Sequence, residues 1–140
     1  MIAELPRDQI DALLHEQVVG RIGCHADGLT YVVPVIYAYD GEAFYVATVE
    51  GQKTRMMRRN PEVCFEVDEY ERGSWRSAIV QGVYEELAGE DADAAIELLA
   101  ARFGRAGRDG APRRRHGGEG STTVCFRIRI HEVTGRAVDR

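Results

Sequence analysis

The sequence predicts a mainly β fold, a β-barrel or α+β arrangement with helices inserted between strands, and three observations lead there. Short runs dense in β-branched and aromatic residues recur along the chain, clearest at Tyr31–Tyr39. Hairpin-type turns such as Asp40-Gly41 join them, which argues against a doubly wound parallel sheet. Helical periodicity is confined to a few short segments. At 140 residues the chain has the length of one domain, 1–140, able to close a hydrophobic core, and no internal repeat is visible.

Each element has its own signal. Leu5–Glu16 reads as a helix, with Pro6 suited to the first turn and Ile10, Leu13 and Leu14 on one face. Val18–His25 is a strand rich in branched residues and glycine, turned at Ala26-Asp27-Gly28. Tyr31–Tyr39 follows as a strand in which Pro34 removes a ladder donor, favouring an edge or a bulge. Asp40-Gly41 turns it into its partner, Ala43–Val49. Gln52–Arg59 is a short basic helix, stopped at Asn60-Pro61 because the residue before proline avoids the α region. Glu62–Glu69 and Arg76–Leu87 are two further strands around a turn at 71–74. Glu90–Phe103 carries the best helical pattern, with Ala92, Ala95, Ile96, Leu99 and Phe103 in register, acids in its first turn and Gly104 as C-cap. Thr122–Val133 alternates Val124, Phe126, Ile128 and Ile130 against polar residues and Cys125, as a half-buried strand does.

Composition excludes several classes. A net charge of -5 argues against a nucleic-acid-binding domain, whose footprint is basic. No apolar stretch approaches the roughly 20 residues that cross a bilayer, and the start has no signal-peptide pattern, so a cytoplasmic protein is expected. Cys24, Cys64 and Cys125 stand singly inside apolar segments and read as buried reduced thiols. The four histidines are dispersed and form neither a zinc pattern nor a nucleophile–base pair, so no metal site is expected. Glu66, Asp68, Glu69 and Glu71 read as a solvated strand edge. The segment 104–120 is packed with glycine and arginine; it reads as a solvated flexible loop, or as a lid over an anionic ligand.

The most informative constellation runs from Tyr45 to Arg55. A strand passes through a glycine-containing turn into a helix whose first turn carries Lys53, with Arg55 close behind. A cation is unfavourable at the positive start of a helix unless an anion sits there too, and phosphate is the usual one. Thr48, Gln52 and Thr54 offer further donors. The alternative is that Lys53 and Arg55 are ordinary exposed charges. The loop lacks the glycines and the Lys-Ser/Thr pair of a nucleoside-triphosphate P-loop.

Five runs in sequence order resemble the pyridoxamine 5′-phosphate oxidase-like superfamily, and more narrowly its nitroimidazole-resistance (Nim-like) branch. They are Val19-Gly-Arg-Ile-Gly23, Tyr31–Tyr37 with Phe44-Tyr45, Glu50–Lys53 through Arg59-Asn60-Pro61 and Val63–Val67, Trp75–Gly82, and Glu132–Arg136. The resemblance spans nearly the whole chain and is weakest at 104–120. It implies an FMN-binding split β-barrel, a homodimer with FMN in a groove between subunits. It assigns Lys53 to the phosphate, with Gln52 beside it, and Val46, Ala47 and Thr48 to the strand end along the phosphate and ribityl chain. Val33, Pro34, Val35 and Ile36 fall on the strand whose backbone faces the isoalloxazine ring. Trp75, Arg76 and Ser77 fall on the segment that approaches the flavin from the other subunit, although Trp75 is equally readable as a core anchor.

Two departures qualify the activity. Ala47 stands where Nim-like proteins often carry a histidine, which counts against nitro-group reduction. Gly51-Gln52-Lys53 stands where the oxidase has Ser-Arg-Lys, and the oxidase's C-terminal substrate residues have no match, so pyridoxamine phosphate oxidation is not expected. What the resemblance leaves is an FMN-dependent oxidoreductase passing electrons from a reduced nicotinamide to a small organic acceptor. The alternatives are a barrel holding deazaflavin or haem, for which His116 or His131 would be the axial ligand, and a non-catalytic flavin-binding sensor or interaction module.

Overall fold

The computed structural model describes residues 1–104 and 123–139. Among them the elements follow as β1 (Ile2–Glu4), α1 (Arg7–Glu16), β2 (Val19–Ala26), β3 (Leu29–Ile36), β4 (Ala38–Tyr39), β5 (Ala43–Val49), α2 (Gln52–Arg59), β6 (Glu62–Glu71), β7 (Ser74–Leu87), α3 (Gly89–Phe103) and β8 (Thr123–Val138). All pairings are antiparallel, in the order β3-β2-β6-β7-β8-β5-β4, with β1 added on β8.

This order dictates the shape. β3 and β4 are its two ends, yet only Tyr37 separates them in the chain. The sheet must therefore roll up until its edges meet at that residue, although the hydrogen-bond ladder does not close. The result is a split β-barrel, as the family resemblance implies. Tyr37 is fixed at the meeting point: its N–H donates to the Val18 carbonyl at 3.1 Å, and its hydroxyl donates to the Leu14 carbonyl at 2.7 Å. Burial raises its phenol pKa well above the usual range.

Alternation along the strands fills the interior. Ile22, Phe44, Val46, Phe65, Val67, Val80, Phe126 and Ile128 are all at or below 1% exposure. Phe44 stacks on Phe65 with centroids 4.3 Å apart, and the Tyr37 ring meets both edge-on at 5.4 Å. Ile10, Leu13 and Leu14 of α1 join the same core. Gly20 is required by that packing, since a Cβ there would lie 2.5 Å from the Phe65 ring.

Two hairpins turn through paired positive-φ residues, Asp27-Gly28 and Arg72-Gly73, the type I′ geometry that suits strand twist. Pro34 lies on edge strand β3, as expected. Gly104 caps α3 at φ 95°, its N–H bonded to the Ala100 carbonyl at 2.7 Å. The Gly/Arg-rich segment beyond it, 105–120, lies outside the described residues.

Several expectations are corrected. The run 31–39 is two strands, because the chain changes sheet edge at Tyr37. β1 carries no alternating pattern of its own; it is a strand because Ile2–Glu4 pairs with Arg136–Val138. The same pairing, with β7 on the other side, carries β8 five residues beyond Val133. β6 is flanked by β2 and β7: Glu66 pairs with Arg21 and Ile79 and so is interior to the sheet, while Asp68 lies past the end of the β2 ladder. Both instead accept from Arg21 at 3.1 Å.

Candidate anion site at the barrel split

The split itself positions the site. β4 pairs with β5 only at Ala38↔Tyr45 and Tyr39↔Phe44. Continued past Tyr37, that register would set Ile36 against Ala47 and Val35 against Thr48, but the ladder ends there. Among the described residues, 46–49 of β5 therefore have β8 on one side and no strand on the other, and β3 pairs only with β2. Two unpaired backbone edges thus flank the split, and they carry seven of the residues singled out by sequence: Val33–Ile36 and Val46–Thr48. Val46 is 1% exposed, so only its backbone is available there.

β5 then delivers the chain to α2. Gly51 is the N-cap in an extended conformation, and no side chain caps the helix. Thr54 tightens the turn from within: its hydroxyl accepts the Gly51 N–H at 3.0 Å and donates to the Gly51 carbonyl at 2.9 Å. Thr54 is fully buried and committed in this way, which removes it from the candidate ligand donors. Thr48 is half-buried, and Gln52 is exposed with its amide over the Met56 sulfur at 3.7 Å. Among the described residues the first-turn N–H groups accordingly have no side-chain acceptor.

Lys53 is half-buried because it shares a helix face with buried Met56 and Met57. Burial pushes its ammonium below the ordinary lysine range, and among the described residues no carboxylate forms an ion pair with it. An uncapped helix start with an unpaired, partly desolvated cation is a set of donors suited to phosphate.

The nearby acid is held elsewhere. Glu50 accepts both terminal nitrogens of Arg58 at 2.8 Å, and Arg58 also donates to Glu86 of β7 at 2.7 and 3.1 Å. Tyr84 donates to the same Glu86 at 2.7 Å. Arg58 holds the Glu50 carboxyl below the usual range, with smaller help from Thr54 and Arg55. Sequence reasoning missed this cluster, because Arg58 and Glu86 are 28 residues apart and meet only through the fold.

Trp75, Arg76 and Ser77 lie elsewhere, on β7 between β6 and β8. Arg76 is bound to Glu69, and to Glu16 at 3.3 Å. With half-buried Trp75 it lines a cavity of about 670 Å³ beside Leu5, Gln9 and Val138. Among the described residues no hydrogen bond or ion pair joins this segment to Lys53. Ala47 is half-buried against the cluster of Leu87, Ala95 and Cys125, on the side of β5 that α3 covers. His131 is exposed on β8, and His116 lies outside the described residues. Among the described residues no helix is long and apolar enough to cross a membrane, and no cluster of ligands could hold a metal ion.

A model of the pyridoxamine 5′-phosphate oxidase family matches residues 6–137. The chain belongs to that family. A FAD-binding protein from Mesorhizobium loti is 32% identical over all of this chain and 98% of its own, with a TM-score of 0.79. A candidate 5-nitroimidazole antibiotic resistance protein from Bacteroides thetaiotaomicron shares the fold at 19% identity and a TM-score of 0.75, over 98% of this chain and 87% of its own. An uncharacterised protein of Rhizobium meliloti (strain 1021) is 32% identical over 84 residues, which is 59% of this chain and 56% of the relative's length.

Proposed function

We propose that this member of the family binds a flavin phosphate, FMN, and serves as an oxidoreductase that passes electrons from a reduced nicotinamide to a small organic acceptor. The observation that carries this reading is Lys53, without a carboxylate partner among the described residues, at the uncapped start of α2 and next to the free edges of the split. Lys53 and the first-turn N–H groups would hold the phosphate. The edges at 33–36 and 46–48 would offer backbone donors and acceptors to the rest of the cofactor. When bound, the flavin supplies the redox chemistry, so the protein needs no acid–base pair of its own.

A homodimer completes the reading. Val19, Val32, Pro34, Ile36 and Ile79 share the outward face of β2, β3 and β7, and the four aliphatic side chains among them are 37–63% exposed. An apolar strip of this kind fits a second copy of the same face. In that assembly Trp75–Ser77 would reach the partner's flavin. Light scattering should give twice the chain mass, and Val32→Lys should lower it; a wild-type monomer overturns the dimer.

The cofactor is tested by the absorbance spectrum of the purified protein and identification of the chromophore released on denaturation. FMN supports the reading, and Lys53→Glu should then weaken its affinity by on the order of a hundredfold while the fold is kept. Released FAD would keep the phosphate site but change the ligand. A deazaflavin or haem spectrum, or unchanged flavin affinity in Lys53→Glu, would overturn the assignment.

A further inference from the structure

We propose that Arg58 is a positioning residue for this site: by capturing Glu50, it keeps the start of α2 able to accept an anion. The inference rests on the phosphate reading above. Glu50 directly precedes the N-cap Gly51, where an acid is attracted to the free N–H groups and positive dipole of a helix. Left free, its carboxylate would also lie within side-chain reach of Lys53 and compete with a phosphate for the same donors.

The geometry prevents this. Both Glu50 oxygens are occupied by Arg58, in the last turn of α2, through a two-pronged pair at 2.8 Å. Glu50 is held along the side of α2 that carries Thr54, Arg55 and Arg58, whereas Lys53 shares the face of Met56 and Met57. Glu86 fixes Arg58 from β7, and Tyr84 fixes Glu86, so the guanidinium is held from the body of the barrel. Arg58 therefore acts on the anion site through Glu50, without touching the ligand.

The test titrates FMN and riboflavin, which lacks the phosphate, into wild-type protein and Arg58→Met, Glu50→Gln, Arg58→Met/Glu50→Gln and Lys53→Met variants. Arg58→Met should bind FMN on the order of tenfold more weakly, with riboflavin affinity unchanged, and adding Glu50→Gln should restore FMN binding to within about threefold of wild type. Glu50→Gln alone should leave FMN affinity equal or tighter, and this variant carries the test if Arg58→Met does not fold. Loss of FMN and riboflavin together without rescue would make Arg58 merely structural and overturn the proposal, as would weaker FMN binding by Glu50→Gln. If Lys53→Met weakens FMN binding and Arg58→Met does not, this inference alone fails. If neither does, the phosphate reading fails with it.

Discussion

The two faces of β2 and β6 are built from alternate residues of the same strands and do different work. Inward, Ile22, Phe65 and Val67 are completely buried and join one aromatic and aliphatic core. Outward, Arg21 faces Glu66 and Asp68 with side chains 29–41% exposed. Inside, energy comes from area removed from water and from close packing, which tolerate little change in volume. Outside, three charges share limited solvent, and their worth depends on pH and on whatever covers the face. Substitutions one residue apart should therefore fail for different reasons.

The largest effect is expected inside. Phe65→Ala would remove a ring in contact with Phe44 and Tyr37 and leave a cavity, at about 3–5 kcal/mol in denaturant unfolding. Gly20→Ala tests the opposite error, because its Cβ would fall 2.5 Å from the same ring. Overpacking of this kind costs about 1–3 kcal/mol. Combined with Phe65→Leu, which withdraws the ring, Gly20→Ala should cost less than it does alone. Additive effects of the two changes would show that the contact does not limit β2.

The inner face was legible in the sequence and the outer arrangement largely was not. Alternation at Val124, Phe126 and Ile128 and the turn residues Asp27-Gly28 are local signals, and the structure follows them. Strands without local signal, such as Ile2–Glu4, exist only through their partner. The helices show the same limit. α3 has the best apolar periodicity yet buries only Ala95, because it lies on the outer side of β5 and β8. α2 reads as a basic surface helix but buries Thr54, Met56 and Met57. At the site, Lys53 could be singled out because a cation at a helix start contradicts the dipole. The Arg58 cluster that holds Glu50 could not, since it depends on Glu86 far along the chain.

The outer face should respond to pH. Burial, then the hydrogen bond and charge of Asp68, push the Glu66 carboxyl up to about 7, against a smaller opposing effect of Arg21. A carboxyl raised on folding gives stability that is fully present below its unfolded pKa near 4.5 and lost as pH rises through about 7. Stability should therefore fall across this window by on the order of 1 kcal/mol, less than the full shift implies, because the carboxyl keeps solvent contact. Glu66→Gln should flatten that part of the profile and leave the response to Phe65→Ala unchanged. A wild-type profile as flat as that of Glu66→Gln would mean that Arg21 neutralises both acids.

The smallest change in stability is expected at Lys53. Its ammonium is partly desolvated, has no carboxylate partner among the described residues and sits at the positive end of α2. Lys53→Met keeps the stem that packs beside Met56 and Met57 and removes only the charge. Without ligand, the variant should be as stable as wild type or more so, by about 0.3–1 kcal/mol. The sign has a pH signature. The folded-state pKa of Lys53 lies below its unfolded value, so charging it costs stability at neutral pH, and that cost disappears as pH rises through the lysine range. The gap between variant and wild type should therefore close towards alkaline pH. A Lys53→Met protein clearly less stable than wild type at neutral pH would mean that the ammonium supports the fold, and its place at the helix start would then need no anion.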